Sequence, residues 1–175
     1  MLTNKSLVLR KFREKDLDEC LQLGRQMVDY HRQIYEDDSI PYDDKKLREK
    51  LKRTGEKYVK MVAEEENKIV GLLILEIKGR SCEIDYIIVD KDRRGKGIGK
   101  ALMNYAKETA LKRKCVEIIL RFAARNIEAF RFYHNNGLNC LGMVEVFMPL
   151  TEEGKNRWYK KKGKRTHFLG LECYY

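Results

Sequence analysis

The spacing of hydrophobic and polar residues changes several times along the chain and divides it into eleven elements. Alternating or continuously apolar stretches predict strands at 6–12, 58–66, 68–79, 81–90, 115–122, 141–150 and 166–175. Apolar residues at helical spacing predict helices at 14–35, 43–53, 97–113 and 126–136. The resulting order, β-α-α-β-β-β-α-β-α-β-β, is typical of a mixed α/β domain in which consecutive antiparallel strands precede a strand–helix–strand unit.

Composition favours one globular domain over residues 1–175. Hydrophobic residues make up 43% of the chain and charged residues 37%, which is a globular mixture and not a disordered one. No apolar stretch approaches the roughly 20 residues of a membrane span, and the first residues lack the order of a signal peptide. The five cysteines are widely spaced without a CxxC pair, so we expect reduced thiols, no disulfide framework and no metal site. These features predict a cytoplasmic protein that does not bind membranes.

Charge is concentrated near the end of the sequence. The formal net charge is +10, and seven Lys and Arg side chains lie within residues 155–165, with Trp158 and Tyr159 among them. Such a segment is typical of a solvated loop, and it also suits contact with phosphate, nucleic acid or an acidic partner. The sequence leaves both interpretations open.

A glycine-rich turn joins the strand 81–90 to the helix 97–113. It contains three glycines in five residues, Gly95, Gly97 and Gly99, among basic side chains. Glycines let backbone N–H groups converge on an anion, and the positive end of the following helix adds a favourable field. A dinucleotide fingerprint needs glycine in place of Lys100, and a P-loop needs Ser or Thr in place of Ala101. The turn therefore predicts a phosphate site of another kind.

The segment from Arg94 to Gly99 matches the pattern [Q/R]-x-x-G-x-[G/A]. This resembles the pyrophosphate-binding motif of the GNAT superfamily of acyl-CoA-dependent N-acyltransferases. Residues 82–89 are similar to that family's fourth strand, and residues 126–137 resemble its second motif, Asn-x-x-Ala-x-x-[Leu/Phe]-Tyr-x-x-x-Gly. The resemblance covers roughly residues 5–175. Leu138 and Asn136 depart from the residues usual there, which affects packing rather than chemistry.

The resemblance implies a fold and a reaction. The fold is a central, mostly antiparallel mixed sheet of about seven strands flanked by about four helices. The reaction is transfer of an acetyl group from acetyl-CoA to a primary amine by direct attack in a ternary complex, without a metal. The residues implied to hold acetyl-CoA are Arg94, Gly95, Lys96, Gly97, Ile98, Gly99 and Lys100 at the pyrophosphate, the backbone of Ile88 and Val89 along the pantetheine arm, and Asn126, which either contacts the arm or caps its helix.

Acetyl transfer needs an acid and a route for the amine proton. An alkyl amine, whose pKa is about 10, must lose a proton before it attacks the thioester, and the leaving thiolate benefits from a proton donor. The resemblance places Tyr133 beside the sulfur as the acid. Glu83 and Asp85 lie two residues apart on one strand face, and the spacing of Glu83 from Arg94 resembles the catalytic glutamate of the histone-acetylating branch. We favour Glu83 as the base, with Asp85 or a water chain as alternatives.

The acceptor is less defined by the sequence. In this fold its groove is shaped by the first two helices and the last two strands, where carboxylates alternate with aromatic residues: Tyr30, His31, Tyr35, Glu36, Asp37, Asp38, Tyr42, Asp43 and Asp44. They suit a cationic amine, such as a polyamine, an aminoglycoside or a lysine-rich protein segment, and they also suit a solvated loop.

Two further alternatives remain open. The chain is an RNA- or ribosome-associated binding module if the basic loop 155–165 carries the function and the CoA pocket is vestigial or regulatory. The strand 166–175, if it lies at a sheet edge, also offers a way to form a homodimer.

Overall fold

The computed structural model describes residues 7–142, 148, 150–152, 165–168 and 171–174. The elements in this part of the chain are β1 Val8–Lys11, α1 Leu17–Tyr35, α2 Lys45–Lys52, β2 Tyr58–Glu65, β3 Lys68–Lys78, β4 Ser81–Val89, α3 Ile98–Lys112, β5 Glu117–Leu120, α4 Ile127–Asn135, β6 Arg165–Phe168 and β7 Leu171–Tyr174. Short 3₁₀ turns at Glu14–Asp16 and Lys91–Arg93 precede α1 and α3. From β1 to α4 the order of helices and strands agrees with the prediction.

Within the described residues the strands form two sheets. Strands β1 to β5 are neighbours in chain order; the first four are antiparallel, and β5 pairs parallel to β4. Strands β6 and β7 form a separate antiparallel pair. The mixed α/β architecture agrees with the prediction, but the sheet has five strands within the described residues where about seven were predicted, and the single strand predicted at 166–175 is two strands. Gly170 interrupts the apolar pattern there, and glycine commonly marks such a break. Most of the predicted strand 141–150 lies outside the described residues.

The described chain falls into two compact units. The first consists of Met1–Tyr30 and Ile40–Arg121 and contains the five-stranded sheet, α2, α3 and most of α1. The second consists of His31–Ser39 and Phe122–Tyr175 and contains the end of α1, α4 and the β6–β7 pair. That residues 1–175 form one domain stays a prediction.

The core of the first unit lies on both faces of its sheet. On one face, apolar side chains of α1 and α2 cluster with those of the strands; the most buried are Cys20, Leu23, Leu51, Val62, Leu72 and Ile74. On the other face, α3 packs against Gly71 of β3. A Cβ atom at Gly71 would lie 3.1 Å from a Leu102 methyl carbon and 3.2 Å from one of Ile98. The glycine therefore allows the first turns of α3 to lie close to the sheet.

A buried ion pair connects β1, β2 and the turn before α1. Arg10 donates from its two terminal nitrogens to the two oxygens of Asp16, at 2.6 and 2.9 Å, and from Nε to Glu64 at 2.6 Å. Asp16 is 2% exposed and also accepts from the backbone N–H of Arg13 at 2.7 Å. Burial alone raises the pKa of this carboxyl, but the hydrogen bonds from Arg10 and Arg13 outweigh it, so the pKa is lowered.

No helix in the described ranges combines the length and the apolar character that a bilayer crossing requires.

Candidate active site

The glycine-rich turn adopts a backbone conformation that depends on glycine. Gly95 and Gly97 have φ angles of +76° and +84°, in the left-handed region that side chains rarely adopt. Nothing lies within 4 Å of a Cβ position at either glycine, so the surface above the turn is open. Gly97 is the N-cap of α3, and the first N–H groups of a helix have no partner within the helix. The turn therefore presents free backbone donors at the positive end of α3.

Side chains from α1 and β2 hold the beginning of this turn. Gln26 donates from Nε2 to Oδ2 of Asp90 at 2.9 Å, and its Oε1 accepts from the backbone N–H of Lys91 at 3.0 Å. Arg93 pairs with Glu65 at 2.7 Å between Nε and Oε2. Sequence reasoning missed Gln26, because a single glutamine on a helix belongs to no recognisable motif.

Three cations surround the turn. Arg94 lies over the ring of Tyr30, 5.0 Å from its centroid, and Lys96 donates to the backbone oxygen of Asp92 at 3.3 Å. Lys100 is exposed in the first turn of α3. Within the described residues no carboxylate forms an ion pair with these three side chains, so their charge is available to an anion. Gly99 lies in the same helical turn, whereas the Ile98 side chain is buried and only its backbone faces the turn.

Strands β4 and β5 part halfway along β4, and we call this opening the fork. Strand β5 pairs with β4 only from Ser81 to Ile84, while β3 pairs with β4 along its whole length. From Asp85 to Val89, the edge of β4 turned away from β3 has no strand partner among the described residues.

Ile88 and Val89 lie in this half of β4, but their backbone groups point to opposite edges. Asp90 donates to the backbone oxygen of Val70 at 2.9 Å, so by alternation the backbone of Ile88 faces β3 and that of Val89 faces the open edge. The Ile88 side chain is 4% exposed and belongs to the core, which leaves Val89 as the residue of this pair that can bind a ligand there.

The two predicted base residues lie where the fork begins. Asp85 is an extra residue in β4, because Ile84 and Tyr86 pair with the consecutive residues Leu75 and Ile74. Asp85 accepts from Nζ of Lys50 at 2.6 Å. Glu83 is held by two cations, Lys78 and Arg121. The hydrogen bond from Lys78, supported by the charge of Arg121, lowers the pKa of Glu83. Glu83 is therefore ionised at neutral pH and is a weak base.

The cations Lys50, Lys78 and Arg121 were also missed from the sequence. In the sequence they are three of 37 Lys and Arg residues; strand register brings Lys78 and Arg121 to Glu83, and the packing of α2 on the sheet brings Lys50 to Asp85.

Tyr133 and Asn126 belong to the second unit. Asn126 is the N-cap of α4, and its Oδ1 accepts from the backbone N–H of Ala129 at 3.0 Å. Tyr133 is 9% exposed, and its ring lies 5.5 Å from that of Phe122 and 5.4 Å from that of Phe132, between centroids. Burial raises the pKa of Tyr133 to about 12, so its hydroxyl is protonated at neutral pH and can donate a proton.

The residues predicted to shape an acidic acceptor groove mostly make local contacts. The Asp37 carboxylate accepts from the backbone N–H and the hydroxyl of Ser39 at 3.1 and 2.5 Å. Asp43 accepts from the backbone N–H of Lys45 at 2.9 Å, and Asp44 pairs with Arg48 at 3.0 Å. The cationic acceptor stays a prediction. The basic loop 155–165 lies outside the described residues except for Arg165, at which β6 begins, so the RNA-binding alternative also stays a prediction.

Comparison with known protein families identifies the family to which this chain belongs. The model of the acetyltransferase (GNAT) family matches residues 24–138, well over half of the sequence, and the chain belongs to that family. The resemblance seen in the motifs is thereby confirmed. Streptothricin acetyltransferase of Escherichia coli is 34% identical over 83 residues, which are 45% of this chain and 47% of that protein. The chain spans less than half the length of the curated relatives it matches.

Solved structures share the fold. An aminoglycoside acetyltransferase from an uncultured soil metagenomic sample superposes with a TM-score of 0.62 at 22% identity, over 87% of this chain and all of that one. The PaiA N-acetyltransferase of Thermoplasma acidophilum, in complex with coenzyme A, superposes with a TM-score of 0.63 at 21% identity, over 75% of this chain and 89% of that one. At these identities the likeness concerns the fold.

Proposed function

We propose that the protein is a cytoplasmic N-acetyltransferase that moves an acetyl group from acetyl-CoA to the primary amine of a small molecule or protein, by direct attack in a ternary complex. One observation carries the proposal: the open edge of β4 runs directly into a cationic turn with free backbone donors. Coenzyme A has the matching order of groups, an arm with two amides followed by a pyrophosphate.

The residues around the fork fit this molecule. Of the two residues implied to bind the arm, Val89 presents its backbone to the open edge and offers hydrogen bonds to the amides, whereas the backbone of Ile88 faces β3. The N–H groups between Gly95 and Lys100 suit the pyrophosphate, and Arg94, Lys96 and Lys100 add charge. Of the two roles implied for Asn126, its side-chain oxygen performs the capping of α4 in the second unit. When bound, acetyl-CoA supplies an acyl thioester that is reactive toward amines.

The proposal assigns a proton donor for the thiolate and a route by which the amine loses its proton. Tyr133 donates the proton that the departing thiolate takes up, and its raised pKa keeps that proton in place until the thiolate forms. Glu83 has a lowered pKa and removes a proton poorly from an amine of pKa about 10. We therefore propose that the amine proton leaves through water near Glu83 and Asp85 rather than directly to either carboxylate.

Thiol release from acetyl-CoA tests the function directly. The panel contains polyamines, aminoglycosides, streptothricin, α-amino acids and lysine-containing peptides, since the names of two relatives above concern antibiotics. Calorimetry with acetyl-CoA runs in parallel, on the wild type and on Arg94→Gln. We expect binding that weakens in Arg94→Gln, together with thiol release for at least one class of amine. A wild type that binds no acetyl-CoA contradicts the proposal.

A further inference from the structure

A cluster of charged side chains covers the face of the sheet beside the fork, and we call it the fork cluster. Within the described residues it joins three carboxylates to five cations: Glu76, Glu83, Asp85, Lys50, Arg53, Lys57, Lys78 and Arg121. All of them belong to the first unit. The cluster contains two more cations than carboxylates, so its net charge is positive.

Strand register explains why the cluster forms. Glu76 of β3 and Glu83 of β4 are direct cross-strand partners, and like charges in such a pair repel. Glu76 is 7% exposed and lies within ion-pair distance of four cations, among them Arg53 at 3.4 Å and Lys57 at 3.5 Å. These cations neutralise the inner part of the cluster. The part of the cluster next to the fork consists of Glu83 with Arg121 and of Asp85 with Lys50.

Arg121 has unused binding capacity. Its Nη1 donates to Oε1 of Glu83, and its side chain is 64% exposed. The edge formed by Nε and Nη2 makes no contact with the described residues. A guanidinium edge of this kind presents two parallel N–H groups that match the two oxygens of a carboxylate. Glu83 holds one end of the guanidinium, so the other edge is oriented before any ligand arrives.

The position of Arg121 in the sheet places the Nε–Nη2 edge of its guanidinium group at the opening of the fork. Leu120 is the last residue of β5 paired with β4, and its partner Ile84 is the last before the strands part. Arg121 follows directly, so it stands at the opening of the fork. Under the proposed function the acyl group is delivered through the fork, and the acceptor amine must approach the same opening.

We propose that Arg121 determines acceptor specificity by binding a carboxylate of the acceptor, which makes the acceptor an α-amino acid. The inference rests on the proposed function. The Nε and Nη2 donors of Arg121 and the positive net charge of the fork cluster stabilise an anionic group next to the acceptor amine. An acceptor that carries only amines is repelled by the same net charge. Glu83 is then the positioning residue for Arg121.

Matched acceptors test this inference. Each pair consists of an amino acid and the amine that lacks only its carboxylate: L-lysine and cadaverine, L-tyrosine and tyramine, L-tryptophan and tryptamine. We expect a wild-type kcat/KM for at least one amino acid that is about 10- to 100-fold above that of its paired amine, the size expected of hydrogen bonds to a charged group. Arg121→Gln should remove this preference by raising KM for the amino acid, whereas the KM of the paired amine should not rise, because the variant also removes a cation that repels it. Arg80→Gln, which removes another exposed arginine from the same unit, is the control and should keep the preference.

A second measurement separates this inference from the proposed function. Calorimetry measures binding of the same compounds to protein saturated with CoA, in the wild type and in Arg121→Gln. Tighter binding of an amino acid than of its amine, lost in Arg121→Gln, supports the inference even if no pair releases thiol, and silence in the thiol assay then counts only against the proposed reaction. Equal binding within all three pairs, or equal weakening of both members by Arg121→Gln, overturns the inference and leaves acetyl transfer to amines intact.

Discussion

At the scale of single residues, burial of Tyr133 raises the pKa of its hydroxyl, which favours the proposed role of this residue as a proton donor. In water a tyrosine already keeps its proton at neutral pH, and with a pKa raised to about 12 it does so across the whole working range of an acyltransferase. The aromatic rings of Phe122 and Phe132 supply this burial. Their packing does not depend on the hydroxyl, so function and folding can be separated at this residue.

Tyr133→Phe should lower kcat about 100-fold and leave the melting temperature nearly unchanged, because only a proton donor is removed. Steady-state thiol release and thermal unfolding measure the two effects. Tyr105→Phe is the matched control, since it removes a hydroxyl from the half-buried tyrosine of α3. Equal activity of the two variants would show that the thiolate needs no acid from Tyr133.

Asp16 makes stability depend on pH. Its folded pKa is lower than its ordinary value of about 4, so its pairing with Arg10 stabilises the fold fully above pH 4 and less as the pH falls through the folded pKa. Asp16→Asn should cost about 3 kcal/mol at pH 7, because Arg10 loses a buried partner, and should reduce the loss of stability in acid. Urea unfolding between pH 7 and pH 3 measures both.

The exposed Asp18→Asn is the control for Asp16→Asn and should keep the wild-type stability and acid response. An Asp16→Asn protein as stable as the wild type at pH 7 would mean that the ion pair does not hold β1 to the turn before α1.

At the scale of elements, the junction of β4 with α3 depends on backbone conformation. Alanine at Gly97 meets no neighbouring atom but must adopt a φ of +84°, at a cost of about 1 kcal/mol. Gly55 has a φ of +105° with equally open surroundings, and it lies outside the turn. The two glycines therefore carry the same kind of strain, but only one belongs to the candidate site.

Gly97→Ala should raise the KM for acetyl-CoA about 10-fold, because relief of the strain moves the backbone donors that face the pyrophosphate. Gly55→Ala should lose similar stability and keep the wild-type KM. The measurement is initial rate against acetyl-CoA concentration for both variants. A comparable change of KM in both would attribute the effect to stability alone.

The elements also show what the sequence could predict. Five elements agree with their predictions to within a residue or so at each end: β2, β3, β4, α3 and α4. Their bounds could be predicted because the spacing of apolar residues and the turn residues are local features of the sequence. The limited pairing of β5 and the extra residue at Asp85 depend on register, which local pattern does not fix. The same is true of the contacts of Glu83: its spacing marks it as a candidate, but Lys78 and Arg121 reach it only through the sheet.

At the scale of the whole molecule, net charge favours an anionic co-substrate. Under the proposed function, the formal net charge of +10 attracts the anionic coenzyme A. Salt screens this attraction beyond a Debye length of about 8 Å at physiological ionic strength. The cations at the turn act at short range, and the remaining charge acts from further away. Both effects concern the encounter with acetyl-CoA rather than the chemical step.

Raising NaCl from about 50 to about 300 mM should therefore increase the KM for acetyl-CoA several-fold and change kcat little. Lys96→Gln should weaken the salt dependence, whereas Lys52→Gln, which removes an exposed cation from the end of α2, should reduce it less. A kcat that falls in parallel with kcat/KM would show that salt acts on the reaction itself.

Beyond Ile84, one edge of β4 has no strand partner among the described residues, while its other edge pairs with β3. Under the proposed function, acetyl-CoA forms hydrogen bonds with the unpaired edge of β4. It therefore stabilises the folded protein in addition to being its substrate. A ligand present at 100 times its Kd stabilises the folded state by about 2.7 kcal/mol. When the metabolite is scarce, that stabilisation disappears and local opening around β4 becomes more frequent. Under the proposed function, the resistance of the protein to unfolding therefore rises and falls with the concentration of acetyl-CoA.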